Sequence, residues 1–207
     1  MYKGIAGSEG IGIGKVVIIE DHDITIETKH VPETDSEIAR LQEAIEKFVE
    51  ITNKMADKMD ETVGKKDADI LRGHIQMLQD PMIEEQISSL IIAEKITAEM
   101  AVDQVLEQTA EMFSQIPDEL LQQRATDFRD IKARMIKLLM GIEDVDISQV
   151  PAGTVLVAKD LTPSMTAGIK PENIEGILTE MGGKTSHSAI LARAMEIPAV
   201  LSIEGIC

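Results

Sequence analysis

A discontinuous α/β domain interrupted by an all-α insertion is the fold the sequence predicts, and three observations predict it. Short β-rich segments stand at both ends of the chain: Lys15–Glu20 first, then Val155–Ala158, Ile174–Thr179 and Ala199–Leu201. The interval 33–141 between them carries helical periodicity almost without a break. Aromatic residues make up only 2% of the 207 residues while there are 12 Met, so the cores must be aliphatic and thioether-filled, which suits helix packing. The expected division is 1–32 plus 142–207 for the α/β part and 33–141 for the helical part.

The chain opens with Gly4, Gly7, Gly10, Gly12 and Gly14. Their spacing fits neither G-x-G-x-x-G nor a P-loop, so they read as turns between short strands. Lys15–Glu20 is the first strand. Asp21–His30 is polar and reads as a link or short hairpin, with His22 and His30 on the surface, since nothing at metal-ligand spacing surrounds them.

Pro32–Val63 predicts a long helix capped by Thr34 or Asp35. Its stripe is Ile38, Leu41, Ile45, Phe48, Thr52, Met55 and Met59, a seam alternating three and four residues that calls for a bundle or helical hairpin. Gly64-Lys65-Lys66 breaks it. A second helix follows over Asp67–Gln79, stopped by Pro81. A third runs Met82–Lys95. Thr97 is placed to cap a fourth, Ala98–Gln115, with Val102, Val105, Thr109 and Met112 on one face. Pro117 and Gly141 bracket the last, Asp118–Met140. Gly73 inside the second helix costs about 1 kcal/mol against Ala and suggests close approach of another backbone. Arg124-Ala-Thr-Asp127-Phe-Arg129-Asp130 puts opposite charges on neighbouring turns, the pattern of an exposed, ion-paired helix face.

The formal net charge is −17, with 37 Asp and Glu against 20 Lys and Arg. That balance argues against nucleic acid or an anionic membrane as partner and leaves room for a basic protein. No apolar run approaches a membrane span and no signal-type leader is visible, so a cytoplasmic location is expected. The single Cys207 excludes an intrachain disulfide.

The chemistry concentrates near the C-terminal end, in Gly182-Gly183-Lys184-Thr185-Ser186-His187-Ser188-Ala189-Ile190-Leu191-Ala192-Arg193 and the following Glu196-Ile197-Pro198-Ala199-Val200. The glycines break the strand before them, Thr185 or Ser186 caps a helix over Ser186–Met195, and Ile190, Leu191 and Ala194 are its core candidates. His187 thus enters the first turn of a helix behind a glycine loop. Unpaired N–H groups and the dipole there attract phosphoryl oxygens and favour a neutral, nucleophilic ring. Lys184 could add a cation.

The continuous match of this stretch resembles the phosphohistidine signature of the phosphoenolpyruvate-utilising enzymes. Ser8-Glu-Gly-Ile-Gly-Ile-Gly-Lys15, Gly73-His74-Ile75-x-x-Leu78-x-Asp80, Arg124-Ala-x-Asp127-x-Arg129-Asp130-Ile131 and Asp160-Leu-Thr-Pro-Ser-Met-Thr166 are similar to its Enzyme I branch, in the N-terminal half. The resemblance implies a swivelling-type phosphohistidine domain with an inserted helical subdomain. It implies phosphorylation of His187, with Gly182, Gly183, Lys184, Thr185 and Ser186 forming the phosphoryl loop. The Thr166 hydroxyl would hold one ring nitrogen and leave the other free, and attack is expected through the ε nitrogen. The carrier protein HPr would dock on the helices through His74, Met77, Leu78, Glu84, Glu85, Arg124 and Arg129. Many relatives carry a lysine near the start of the second helix that approaches the phosphoryl group; here the nearby residues are Lys65, Lys66 and Asp67.

The family's complete form adds a C-terminal barrel that binds phosphoenolpyruvate and Mg²⁺. None of this sequence resembles it, so a fragment is expected, without metal or cofactor of its own, exchanging phosphoryl groups with phospho-HPr but not labelled by phosphoenolpyruvate. Two other readings stay open: a non-catalytic HPr-docking module, and the central domain of a dikinase-like or synthase-like enzyme.

Overall fold

The structure, a computed structural model, describes residues 2–19, 24–142 and 147–207. The expectation for His22 lies outside the described residues. The elements in order are β1 (Ile5–Ser8), β2 (Lys15–Ile19), α1 (Thr34–Thr62), α2 (Lys65–Leu78), α3 (Pro81–Glu94), α4 (Ala98–Ser114), α5 (Glu119–Met140), β3 (Thr154–Ala158), α6 (Pro163–Thr166), β4 (Ile174–Thr179), α7 (His187–Ala194) and β5 (Ala199–Leu201). The chain divides into two compact units, Met1–Asp23 with Met55–Ala68 and Val145–Cys207, and Ile24–Lys54 with Asp69–Asp144. Residues 55–68, expected with the helices, group with the sheet, because α1 and α2 are long enough for their adjoining ends to contribute to the first unit.

The sheet unit is a five-stranded sheet of order β1-β5-β4-β3-β2. β2, β3, β4 and β5 are parallel and β1 closes the edge antiparallel to β5. Val17, Leu156 and Ile177 pair across it, as do Ile19, Ala158 and Thr179. With a side-chain period of two, this register puts Ile19, Leu156, Ala158, Ile177, Ala199 and Leu201 on one face. They share a core with Ala189, Leu191 and Ala192 of α7 and with Leu161 and Ile169 flanking α6. The helix face differs from the one expected: Ile190 is 42% exposed and Ala194 is exposed, while Ser188 and Ala189 are buried. The leading glycines serve contact as well as turning. A Cβ on Gly12 would fall on the Glu175 carbonyl of β4, so backbone approaches backbone there.

The helical unit buries the predicted α1 seam, with Leu41, Ile45, Phe48 and Thr52 inside it. Ile87, Ile91, Val102, Leu106, Ile131 and Met135 join the same core from α3, α4 and α5. The helix ends follow local chemistry. Asp80 accepts from Met82 N–H at 2.8 Å ahead of Pro81, Asp118 accepts from Leu121 N–H at 3.1 Å, and Gly141 ends α5 in the left-handed region. Thr97 occupies the N-cap of α4 but makes no side-chain cap bond. Glu37 of α1 supplies the acceptor instead, taking the Ala98 N–H at 2.9 Å. Met112, assigned to the inner face of α4, is 61% exposed. Gly73 meets no backbone either; the nearest group is the Arg124 guanidinium, 3.8 Å from where a Cβ would stand. Among the described residues no helix is long and apolar enough to cross a membrane.

Candidate functional site

β3 and β4 run parallel and end in register at Ala158 and Thr179. The segments leaving their carboxyl ends are therefore neighbours, the usual position for a ligand site in a parallel sheet. The first segment leads through Asp160 to α6, where Pro163 starts the helix and Thr162 caps it. The second is the glycine loop that leads to α7.

That loop is tied down at most of its positions. Thr179 Oγ1 donates to the Met181 carbonyl at 2.5 Å. The Ser202 hydroxyl donates to the Gly182 carbonyl. Gly182 itself sits at φ +97, which an L side chain rarely adopts. Ser186 N–H donates to the Gly183 carbonyl at 3.0 Å and its Oγ accepts from Ala189 N–H at 3.3 Å, making it the N-cap of α7. Lys184 and Thr185 are exposed, with Gly182 and Gly183 half-buried. The loop thus keeps an open, cationic outer side over a fixed backbone.

His187 is the first residue of α7 and half-buried. Its Nε2 lies 3.2 Å from Thr166 Oγ1. Thr166 is buried and its hydroxyl donates to the Pro163 carbonyl at 2.8 Å. A hydroxyl has one proton to give, so Oγ1 accepts from the ring and the proton sits on Nε2. The contact expected between Thr166 and the ring is therefore present, but it falls on the nitrogen expected to attack. In this state that nitrogen is a donor.

Two side chains that the sequence reading gave no role complete the framework. Arg193, one turn and a half along α7, donates to the Gly7 carbonyl of β1 at 2.7 Å and to the Lys184 carbonyl at 3.0 Å. Asp160 accepts from its neighbour Leu161 N–H at 2.8 Å and from Ser188 Oγ at 3.2 Å. Arg193 stands inside the signature and was open to notice. Asp160 opens the segment up to Thr166 that carries part of the resemblance, but nothing in the sequence shows that it meets Ser188.

The residues expected to meet a carrier all lie in the helical unit but differ in kind. Met77, Glu85 and Arg124 line an open groove of about 970 Å³ formed by α2, α3, α4 and α5. Met82, Met112, Phe113 and Leu121 give it an apolar floor and walls. Glu84 is half-buried beside it in sequence. Arg129 is exposed and pairs with Glu107 of α4 at 2.9 Å. His74 and Leu78 have no exposed surface, so neither touches a partner directly. Lys65 and Lys66, at the start of α2, are exposed. No group of three His, Cys, Asp or Glu able to hold a metal ion occurs among the described residues.

Known proteins are similar to this chain in sequence and in fold. Residues 3–124 match the family described as "PEP-utilising enzyme, N-terminal", and residues 150–207 match "PEP-utilising enzyme, mobile domain". Proteins named phosphoenolpyruvate-protein phosphotransferase align over nearly the whole chain. That of Mycoplasma capricolum is 37% identical over 204 residues, covering 99% of this chain and 36% of its own length. That of Haemophilus influenzae is 36% identical over 203 residues, 97% of this chain and 35% of the relative. The chain thus spans about a third of the length of the curated relatives it matches. Among solved structures, an NMR solution structure of Enzyme I (nEIt) superposes with a TM-score of 0.84 at 38% identity, covering 100% of this chain and 84% of that one. A structure titled as the N-terminal domain of Enzyme 1 - Nitrogen gives 0.65 at 22%, which speaks for the fold alone. The strand-loop-helix that carries His187, the fold around it and the match over residues 3–124 agree, and the chain belongs to the family of PEP-utilising enzymes, as the N-terminal portion of its phosphotransferase members.

Proposed function

We propose that this chain accepts and passes on a phosphoryl group through His187, exchanging it with the histidine of a basic phosphocarrier protein of the HPr kind. The sheet unit is then the swivelling-type phosphohistidine domain and the groove of the helical unit is the carrier's dock. The observation that carries the reading is the 3.2 Å contact between Thr166 Oγ1 and His187 Nε2. It belongs to a ring presented at the start of α7, beside a loop whose backbone is fixed and whose outer side is open.

The chemistry follows from the proton. Attack on phosphorus needs a lone pair on the attacking nitrogen. For Nε2 to attack, the ring must leave Thr166 and carry its proton on Nδ1 instead. The P–N bond to the carrier's imidazole breaks as the bond to Nε2 forms; His187 gives up its Nδ1 proton and the carrier's departing ring takes one up, so the exchange balances. The oxygens of the group in flight are stabilised by the N–H groups opening α7 and by the Lys184 cation, which neutralise charge without a redox step. Lys184, Thr185, Ser186, Gly182 and Gly183 are the loop that receives them.

The groove supports a carrier-docking reading by its mixture of surfaces. An apolar floor gives buried area, while Glu85 and the general excess of acid suit a basic protein. Met77, Glu84, Glu85, Arg124 and Arg129 are the contacting candidates, with His74 and Leu78 supporting them from inside. Phosphoenolpyruvate and Mg²⁺ enter this reading through a C-terminal domain of a longer phosphotransferase, and a cytoplasmic setting is part of it.

The test uses HPr phosphorylated with labelled phosphate. The chain is expected to take the label in an acid-labile, alkali-stable form and to return it to unlabelled HPr. Binding without transfer of label would leave only a docking module.

A further inference from the structure

His74 of α2 has no exposed surface, and neither of its ring nitrogens has a hydrogen-bond partner. An imidazole in a dry core costs free energy that an apolar side chain avoids, and Leu71 and Leu78 on the same helix show the apolar solution. What faces the ring is charge. Nε2 lies 3.4 Å from Asp127 Oδ1 and Nδ1 lies 3.6 Å from Asp130 Oδ2, both carboxylates of α5. Asp127 has a second oxygen, and this stands 3.6 Å from Arg124 Nη1. The same Nη1 is 3.5 Å from Met77 Sδ and lies beside Gly73, 3.8 Å from where a Cβ would stand. Of these groups, Arg124 and Met77 line the 970 Å³ groove.

We propose that His74 is a positioning residue for the docking groove: it orients Asp127, and Asp127 holds the Arg124 guanidinium beside Gly73 and against Met77, aimed at an acceptor on the docked protein. The inference rests on the docking reading above. It accounts together for the buried imidazole of α2 and the acidic repeat on α5. A guanidinium held in place loses less rotamer freedom on binding, and Arg is prominent among residues that dominate interface affinity.

The experiment compares His74→Met, His74→Gln, Arg124→Met and the double variant H74M/R124M in the whole chain. Two readouts are taken: the dissociation constant for unphosphorylated HPr by calorimetry, and the Arg124 Nε–Hε resonance by NMR without carrier. His74→Met is expected to weaken HPr binding about tenfold, the scale of leaving one rotamer-rich interface side chain to be ordered on binding. His74→Gln restores most of it, and the double variant binds no more weakly than Arg124→Met alone. The Arg124 resonance moves towards that of a freely rotating arginine in His74→Met. Asp127→Asn, at a partly exposed position, is expected to give the same loss and the same shift, and it stands in if the Met variant does not fold. Wild-type affinity in both variants, or losses that multiply in the double variant, would overturn the proposal. If wild-type chain fails to bind HPr, the docking reading falls. The Arg124 resonance then judges the positioning claim by itself, and an unchanged resonance refutes it.

Discussion

In the sheet unit most of the polar side chains around His187 bond to backbone, with Ser188 and Asp160 as the exception. Arg193 reaches the Gly7 and Lys184 carbonyls, Thr166 the Pro163 carbonyl, Thr179 the Met181 carbonyl and Ser202 the Gly182 carbonyl. In the helical unit they face one another as charges. Arg40 joins Glu37 and Glu99, Lys132 joins Asp103 and Glu107, and His74 stands between Asp127 and Asp130. Hydrogen bonds to carbonyls fix the path of a loop, which a reacting ring requires. Charge pairs between helices fix which side chains reach a surface, which a docking face requires. The contrast says where each unit should be fragile. A change at the loop should alter rate with little effect on stability, and a change among the helices should do the reverse.

The largest effect tests the first half. His187→Ala removes the proposed nucleophile and should abolish exchange of label with phospho-HPr completely, while stability falls by only about 1 kcal/mol, the scale of the hydrogen bond to Thr166 that is lost. A variant that still takes up label in acid-labile form would move the phosphoryl site elsewhere and dissolve the comparison.

Phe48→Ala strikes the second half. The ring is fully buried, and the Arg134 guanidinium lies over it, 4.2 Å from its centroid, while giving a hydrogen bond to Thr52 Oγ1 at 2.6 Å. Truncation opens a cavity beneath a buried cation and should cost about 3–5 kcal/mol, with a fall in melting temperature of roughly 10 °C by circular dichroism. It touches none of the hydrogen bonds around His187, so the imidazole nitrogen resonances of the folded variant should match wild type. A changed ring spectrum would mean that the loop depends on the helical core.

Thr166→Val comes next. It takes away the acceptor on Nε2, and the ring's proton should redistribute between the two nitrogens, visible in the ¹⁵N shifts of the imidazole. Because the ring must leave Thr166 before Nε2 can attack, loss of this resting-state hydrogen bond should speed exchange, by up to about tenfold or 1.4 kcal/mol. A rate below wild type would mean that Thr166 orients the ring for attack instead of latching it, which changes the role of the loop without removing it.

Much of this arrangement was legible in the chain, and the failures have physical reasons. Strands β3, β4 and β5 and the long helices announce themselves by local pattern, as do the caps at Asp118 and Gly141. The inner face of α7 was misphased because Ser188 belongs to it. Its hydroxyl is satisfied by Asp160, so a polar residue is buried at the spacing that Leu191 and Ala192 continue, and hydropathy alone chose Ile190 and Ala194. The cap of α4 was credited to Thr97 by adjacency, whereas Glu37 comes from 61 residues away. His74 read as a surface contact because the sequence cannot show that α5 brings two aspartates to it. At the proposed reactive site, residue types are readable from the signature, but which nitrogen Thr166 meets is set by the rotation of the imidazole, which no residue type shows.

The smallest expected effect concerns the clamp between α4 and α5. Burial alone would raise the Glu107 carboxyl, but hydrogen bonds from Lys132 and Arg129 and their charges outweigh it and hold the group below its usual 4.5. Burial would likewise lower Lys132, and Glu107 with Asp103 overcome it and hold the ammonium above 10.5. A carboxyl with a depressed folded value contributes stability that is full above about pH 4.5 and lost as pH falls through the folded value. A raised lysine contributes below about pH 10.5 and loses that share as pH climbs through its folded value. Glu107→Gln should therefore cost about 1 kcal/mol near neutral pH, the upper end for partly exposed pairs. The difference from wild type should vanish in acid as the wild-type carboxyl protonates. Only part of it should disappear in strong base, because Arg129 still pairs with Glu107 at 2.9 Å after Lys132 is neutral. Urea melts of both proteins across that range decide it. A cost independent of pH would mean that Glu107 holds the helices by packing, and the helical unit would then resemble the sheet unit more than its charges suggest.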